Sequence, residues 1–247
     1  MTERRMIIIN ADDWGRCRAE TDAAVECYRC GRITTLSAMV FMDDSVRAAR
    51  IATENGIETG LHVNFTQPFT AAHPEWLRAA HARIARFLSQ GKLCALVYNP
   101  VLARDFRDVY EVQLAAFRCL YGNDPTHIDG HHHQHLCANM LFGDIIAHGT
   151  RVRRNFHFSA GEKSAANRGY RRAVDWYLSR RYRITDFFFA LATCLQGDRL
   201  TRVAALAKTS TVELMTHPAN RIEQAFLMSE SYAAKLGHVE KGTHSLM

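Results

Sequence analysis

Proline and glycine are sparse and scattered, five prolines and 14 glycines in 247 residues, and they form no linker-like run. No low-complexity tract or long block of like charge divides the chain either. A domain boundary therefore has no foothold, and residues 1–247 read as one domain, since barrels of this length routinely form a single unit. Long apolar runs are also missing. The longest, FFFALATCL at 187–195, falls far short of the roughly 18 residues that a membrane-spanning helix needs. MIII at 6–9 runs straight into Asn10 and two aspartates, which is too short and wrongly ended for a secretory core. A cytoplasmic protein without membrane contact is expected.

Cysteine usage points the same way. Seven cysteines, an odd number, fit reduced thiols better than a disulfide framework. CYRC at 27–30 has C-x-x-C spacing but sits late in a predicted helix, with no second pair at zinc-module spacing, and reads as inert. No G-x-G-x-x-G or G-x-x-x-x-G-K-[ST] follows a strand, so nothing supports a dinucleotide or P-loop site. No G-x-S-x-G elbow supports a serine hydrolase.

What is present is a 47% hydrophobic chain, enough for one substantial core. The formal charge is +6 and the pI about 9.0, with basic residues gathered in RVRR (151–154) and RRAVDWYLSRRYR (171–183). These read either as a solvated basic helix face or as an anion-attracting rim. Without an RNA or DNA module or base-stacking aromatics among the arginines, nucleic acid is a minor option.

Hydrophobic periodicity alternates between strand and helix. RMIIIN (5–10), ITTLSAMV (33–40) and IETGLHVNF (57–65) read as strands, separated by helices over 19–31 and 46–55, with Asp43, Asp44 and Ser45 offering a cap to the second. Helices at 74–90 and 101–121 follow, then the strand THIDGH, a helix near 136–148, a strand near 150–154 and a helix near 166–181. TVELMTHP (211–218) is the last strand, followed by a helix over 220–236. Six or seven strands in a βαβ rhythm predict an α/β fold, a distorted or incomplete TIM-barrel-like (β/α) barrel, with an open doubly wound sheet as runner-up.

Residues able to bind metal or move protons stand at four predicted strand ends: Asp12 and Asp13, His62, the histidine cluster, and His217. In a parallel barrel those ends form one active-site face. Adjacent carboxylates on extended backbone point opposite ways, so Asp12 and Asp13 can share a face only if the strand turns there. Within THIDGHHHQH (126–135), residues 127, 129 and 131 share one face of a continuing strand, whereas His131 and His135 share a face if a helix begins after Gly130. Position 132 is histidine, not the glutamate of H-E-x-x-H, which excludes that protease site. The cluster is interior and interrupted by Gln134, which excludes an expression tag. Two imidazoles and a carboxylate with open positions can bind a divalent metal and activate water for hydrolysis of an amide, an ester or a phosphoester.

The ordered set NADDWG (10–15), GLHVNFT (60–66), PTHIDGHHHQH (125–135) and MTHP (215–218) resembles the YdjC-like carbohydrate deacetylases. The resemblance implies a distorted (β/α) barrel that removes an N-acetyl group from a sugar with one divalent ion, Mg2+ or Zn2+, and a homodimer. It implies Asp13, His62 and His131 as metal ligands and Asp12 as the base that takes a proton from the attacking water. His217 would protonate the leaving amine, and His127 or Asp129 would orient a ligand imidazole. Trp14 stands where the family usually has Phe, and the loop NFTQPFT (64–70) is shorter than usual; both bear on the sugar rather than on the metal centre. A metal phosphoesterase or nuclease, and a non-catalytic barrel that only binds, are the competing expectations.

Overall fold

This computed structural model describes residues 5–91, 93–159 and 161–247. β1 (Met6–Trp14) is buried along its whole length, as a parallel strand covered on both faces should be. After α1 (Arg18–Arg29) come β2 (Thr35–Ala38), α2 (Ser45–Glu54), β3 (Thr59–Val63), α3 (Glu75–Ser89) and α4 (Ala103–Tyr121). β4 (Ile128–Gly130), α5 (Ala138–Phe142), α6 (Ala165–Ser179), β5 (Phe187–Ala190), α7 (Leu191–Cys194) and α8 (Arg199–Ala207) follow. β6 (Thr211–Thr216), α9 (Arg221–Leu227) and α10 (Glu230–Leu236) complete the order.

The strands hydrogen-bond in the order β4-β3-β2-β1-β6-β5. That is the cyclic order of a barrel opened between β4 and β5. A doubly wound sheet would instead return to place β4 beside β1. The fold is thus α/β, an incomplete (β/α) barrel of six parallel strands.

The contacts divide the chain into two compact units. One comprises Asp13–Thr21 and Ser37–Ala147; the other holds the described residues up to Asp12, Asp22–Leu36 and His148–Met247. In the first, β3 and β4 pair with Leu61 opposite Ile128, His62 opposite Asp129 and Val63 opposite Gly130. α3 buries Leu77, Ala80, His81, Ile84 and Leu88, and α4 buries Phe106, Val109, Tyr110, Gln113, Phe117 and Tyr121, each at helical spacing. Gly122, left-handed at φ 71°, ends α4 by returning its N–H to the Arg118 carbonyl. Asp44 occupies the N-cap of α2 without a capping bond, because its carboxylate turns to Arg47 at 2.7 Å.

In the second unit, β1 pairs with β6 (Ile7 opposite Val212, Ile8 opposite Glu213), and β6 with β5 (Phe188 opposite Glu213). The strand expected near 150–154 is an extended segment beside β5. Arg151 bridges Arg183, and the N–H of His157 reaches the Phe188 carbonyl at 2.9 Å.

Two expected helices are shorter than predicted. The one near 136–148 is only α5, because Gly143 ends it and Asp144 follows in left-handed conformation at φ 47°. The one over 220–236 breaks at Ser229, whose backbone is extended and whose hydroxyl donates to the Phe226 carbonyl. β5 lies inside the apolar run 187–195, with Phe188 and Ala190 buried and Phe187 and Phe189 half-buried.

Candidate metal centre

β1 does not stay extended to its end. Asp13 is left-handed at φ 63°, a conformation that costs a non-glycine residue about 1–3 kcal/mol and gathers at functional sites. Its carbonyl accepts the Arg16 N–H at 3.1 Å, closing a turn. Gly15 (φ 81°) completes the turn where a Cβ would press on Ala48 and Ser45. The strand turns, as sharing a face with Asp12 would require, and Asp13 leaves the alternation of the pleat.

Around Asp13 stand two imidazoles. His131, the first residue past β4, places Nδ1 2.9 Å from Asp13 Oδ1, and His62 on β3 places Nε2 3.5 Å from the same oxygen. All three side chains are buried, and their ligand atoms lie within 4.8 Å of one another. Burial alone would raise the Asp13 carboxyl. The hydrogen bonds and positive charge of His131 and His62 outweigh it and hold the group well below the usual carboxylate range. Arg16 adds an ion pair at 3.0 Å.

The imidazoles are oriented from behind. In the β3–β4 register His62 lies opposite Asp129, and its Nδ1 contacts Asp129 Oδ1 at 2.8 Å. The carboxylate accepts there from Nδ1–H, which leaves Nε2 as the nitrogen turned toward Asp13, a donor while protonated and a lone pair for a metal once deprotonated. Ser37 donates to the other Asp129 oxygen at 2.8 Å and contacts His127 Nε2 at 3.0 Å. The His127 ring fills the space where a Cβ on Gly60 would stand, which ties Gly60 to this packing.

These residues fit a divalent ion. One carboxylate and two imidazoles form the donor set, one imidazole backed by a carboxylate, and His131 Nε2 is buried with no hydrogen-bond partner among the described residues. Of the five histidines in the run only His131 joins the set. His132 and His133 are left-handed at φ 53° and 58°, so the helical face that would pair His131 with His135 does not form. His132 contacts Thr66 Oγ1 at 3.0 Å, and His135 packs against Gly130.

Asp12 and His217 belong to the other compact unit. Asp12 accepts two hydrogen bonds from Arg153, at 2.8 and 2.7 Å, and one from Asn10 at 2.8 Å. Arg153 is buried, and its Nε donates to Glu213 at 2.7 Å. It is therefore neither on a solvated basic face nor on a rim; its neighbour Arg154 pairs with Asp175 at 2.6 Å. His217 is half-exposed. Its backbone N–H donates to Glu223 at 3.0 Å, and its ring Nδ1 lies 3.7 Å from the same carboxylate.

Reading the sequence for strand ends misses Ser37, Arg153, Glu213 and Glu223. The usable signal was Glu213, a charge in the middle of the apolar strand TVELMT, which demands a buried partner.

An incomplete (β/α) barrel with a carboxylate and two imidazoles at strand ends defines the class: a barrel with a candidate single-ion centre. More particularly, the chain belongs to the YdjC-like protein family, which it matches over residues 6–242. It is 30% identical over 244 residues to the carbohydrate deacetylase of Mus musculus, covering 87% of this chain and 78% of that one. The Homo sapiens carbohydrate deacetylase is 31% identical over 246 residues, with 87% and 75% covered. The chitooligosaccharide deacetylase of Yersinia pestis (strain Pestoides F) is 28% identical over 135 residues, 53% of this chain and 51% of its own. Among solved structures, a proposed cellobiose-phosphate cleavage protein from Enterococcus faecalis V583 shares the fold, with a TM-score of 0.69 at 16% identity and 98% of both chains covered.

Proposed function

We propose that this chain is a metal-dependent carbohydrate deacetylase, which hydrolyses the N-acetyl group of an amino sugar or oligosaccharide to acetate and a free amine. The observation that carries the reading is the buried Asp13–His62–His131 donor set, with Asp129 holding His62 from behind. Its membership in a family with carbohydrate deacetylases among its relatives supports the choice of substrate. When bound, a divalent ion supplies Lewis acidity, acidifying water and stabilising negative charge on an acyl oxygen. Two nitrogen donors and one oxygen suit zinc or another first-row ion better than magnesium, which prefers oxygen ligands.

The chain's own residues then divide the proton work. Asp12 is the base: it takes a proton as the water oxygen bonds to the acetyl carbon. The bidentate Arg153 fixes its orientation. His217 is the acid: it delivers a proton to the nitrogen as the C–N bond breaks, with the Glu223 carboxylate 3.7 Å from its Nδ1. Ser37 and His127 keep Asp129 aimed at His62. Seven free thiols fit a reducing compartment, the cytoplasm. Among the described residues no helix is long and apolar enough to cross a membrane.

The test is acetate release by the zinc-loaded chain from a panel of N-acetylated mono- and oligosaccharides. Turnover of at least one is expected. Full metal occupancy with no acetate from any of them would overturn the reading.

A further inference from the structure

The unit that holds Asp12 also contains a cavity of about 440 Å³ that the deacetylase reading leaves unused. It lies on the outer side of β5. Phe188 and Ala190 turn inward and are buried, whereas Phe187 and Phe189 turn outward with near-parallel rings, 15° apart, whose centroids are 6.4 Å apart. His157 stands edge-on to both, at 4.9 and 5.7 Å. Val203 and Leu206 of α8 close the opposite wall.

The cavity is open to solvent on one side, where Arg202 and Ala205 are exposed. A space of this size with aromatic walls matches the dimensions of small-molecule sites rather than a packing fault. Its polar groups are few and unequal. Arg199 and Glu162 neutralise each other in an ion pair at 3.0 Å. Burial, reinforced by the charge of Arg154, lowers the His157 imidazole and so favours its neutral form near pH 7. Cys194 stays a neutral thiol, pushed up to about 11 by burial. Arg202 also lines the cavity, from an exposed position on α8, and its guanidinium makes no ion pair or hydrogen bond among the described residues. The wall therefore offers apolar and aromatic surface together with one uncompensated positive charge.

We propose that this cavity is a binding site for an amphiphilic carboxylate, whose alkyl or aryl portion lies against Phe187, Phe189 and Leu206 and whose carboxylate pairs with Arg202. No residue of this cavity has a part in the deacetylase reading, and the proposal stands or falls separately from it. The experiment is calorimetric titration of the full chain with decanoate and, separately, with uncharged 1-decanol. Decanoate should bind saturably at one site, and decanol about two- to fivefold more weakly, the value of an ion pair with an exposed arginine. Arg202→Glu should remove that preference by weakening decanoate alone. Ala205→Trp places a large ring in the mouth from an exposed helix position that does not endanger folding, and it should abolish binding of both. Acetate release should be the same in both variants as in the parent chain. No saturable decanoate binding, or undiminished binding in Ala205→Trp, would overturn the site. Equal affinity for the two probes, unaltered by Arg202→Glu, would overturn the carboxylate assignment.

Discussion

Asp12 and Asp13 are neighbours in the chain and both are buried, yet their company is of opposite kinds. Besides Arg16, Asp13 faces two imidazoles, whose shared protons can be exchanged for a metal ion because each ring offers a lone pair once deprotonated. Asp12 faces a guanidinium, which has donors only and cannot be deprotonated in a protein. The first arrangement can trade protons for a cation. The second is a fixed hydrogen-bonded network, Asn10–Asp12–Arg153–Glu213, that holds one carboxylate in a single orientation. Two carboxylates of the same residue type thus differ in their partners, and the chemistry of those partners sets what each carboxylate can do.

The largest effects should come from the imidazole side. Asp13→Ala, His62→Ala or His131→Ala should each lower acetate release by about a thousandfold or more, since the Lewis acid supplies several kcal/mol. Thermal unfolding by calorimetry should show that these variants still fold. Breaking the guanidinium side should instead tell on stability. Arg153→Met strands two buried carboxylates and should cost about 3–5 kcal/mol in urea unfolding, while the bound metal content is unchanged. Loss of metal in that variant would erase the distinction between the two sides.

Asp129→Asn tests how far the imidazole side depends on its support. It should weaken zinc affinity by about 10- to 100-fold in competition with a chelator. A test on stability alone, apart from both sides, concerns His81, a buried imidazole whose Nε2 has no hydrogen-bond partner among the described residues. Burial, with His73 adding to it, pushes His81 down to about 4. Its folded value lies below the ordinary value near 6.5, so the unfolded chain binds the extra proton between those limits. The stability that neutral His81 contributes is present above about pH 6.5 and is lost as pH falls toward 4. His81→Leu should therefore flatten the decline in unfolding free energy over that window, by up to about 3 kcal/mol. An unchanged slope would show that His81 is protonated in the folded chain.

The part of the site that was legible in the sequence is the part written at strand ends. Asp13, His62 and His131 each follow or end an apolar run, and parallel-strand topology converts that pattern into convergence. The guanidinium side was not legible, because Arg153 and Glu213 lie 60 residues apart and RVRR looks like solvated charge until the fold buries it. The histidine run was legible as a metal signal but not as a shape. The left-handed turn at His132 and His133 obeys neither a period of two nor one of 3.6.

In the fold, long periodic elements such as α3 and α4 were readable within one or two residues. The four-residue β5 and the break at Ser229 were not, because short elements are settled by tertiary pairing and by a single side-chain bond.

The most direct test is metal stoichiometry by mass spectrometry of elements, measured side by side on Asp12→Asn and Asp13→Asn after loading with zinc and removal of the excess. Asp12→Asn should retain about one ion per chain, like the unaltered protein, and lose roughly 10²- to 10⁴-fold in acetate release as a missing general base would dictate. Asp13→Asn should retain none. Equal metal in the two variants, or metal lost from Asp12→Asn and kept by Asp13→Asn, would contradict the assignment of the two aspartates.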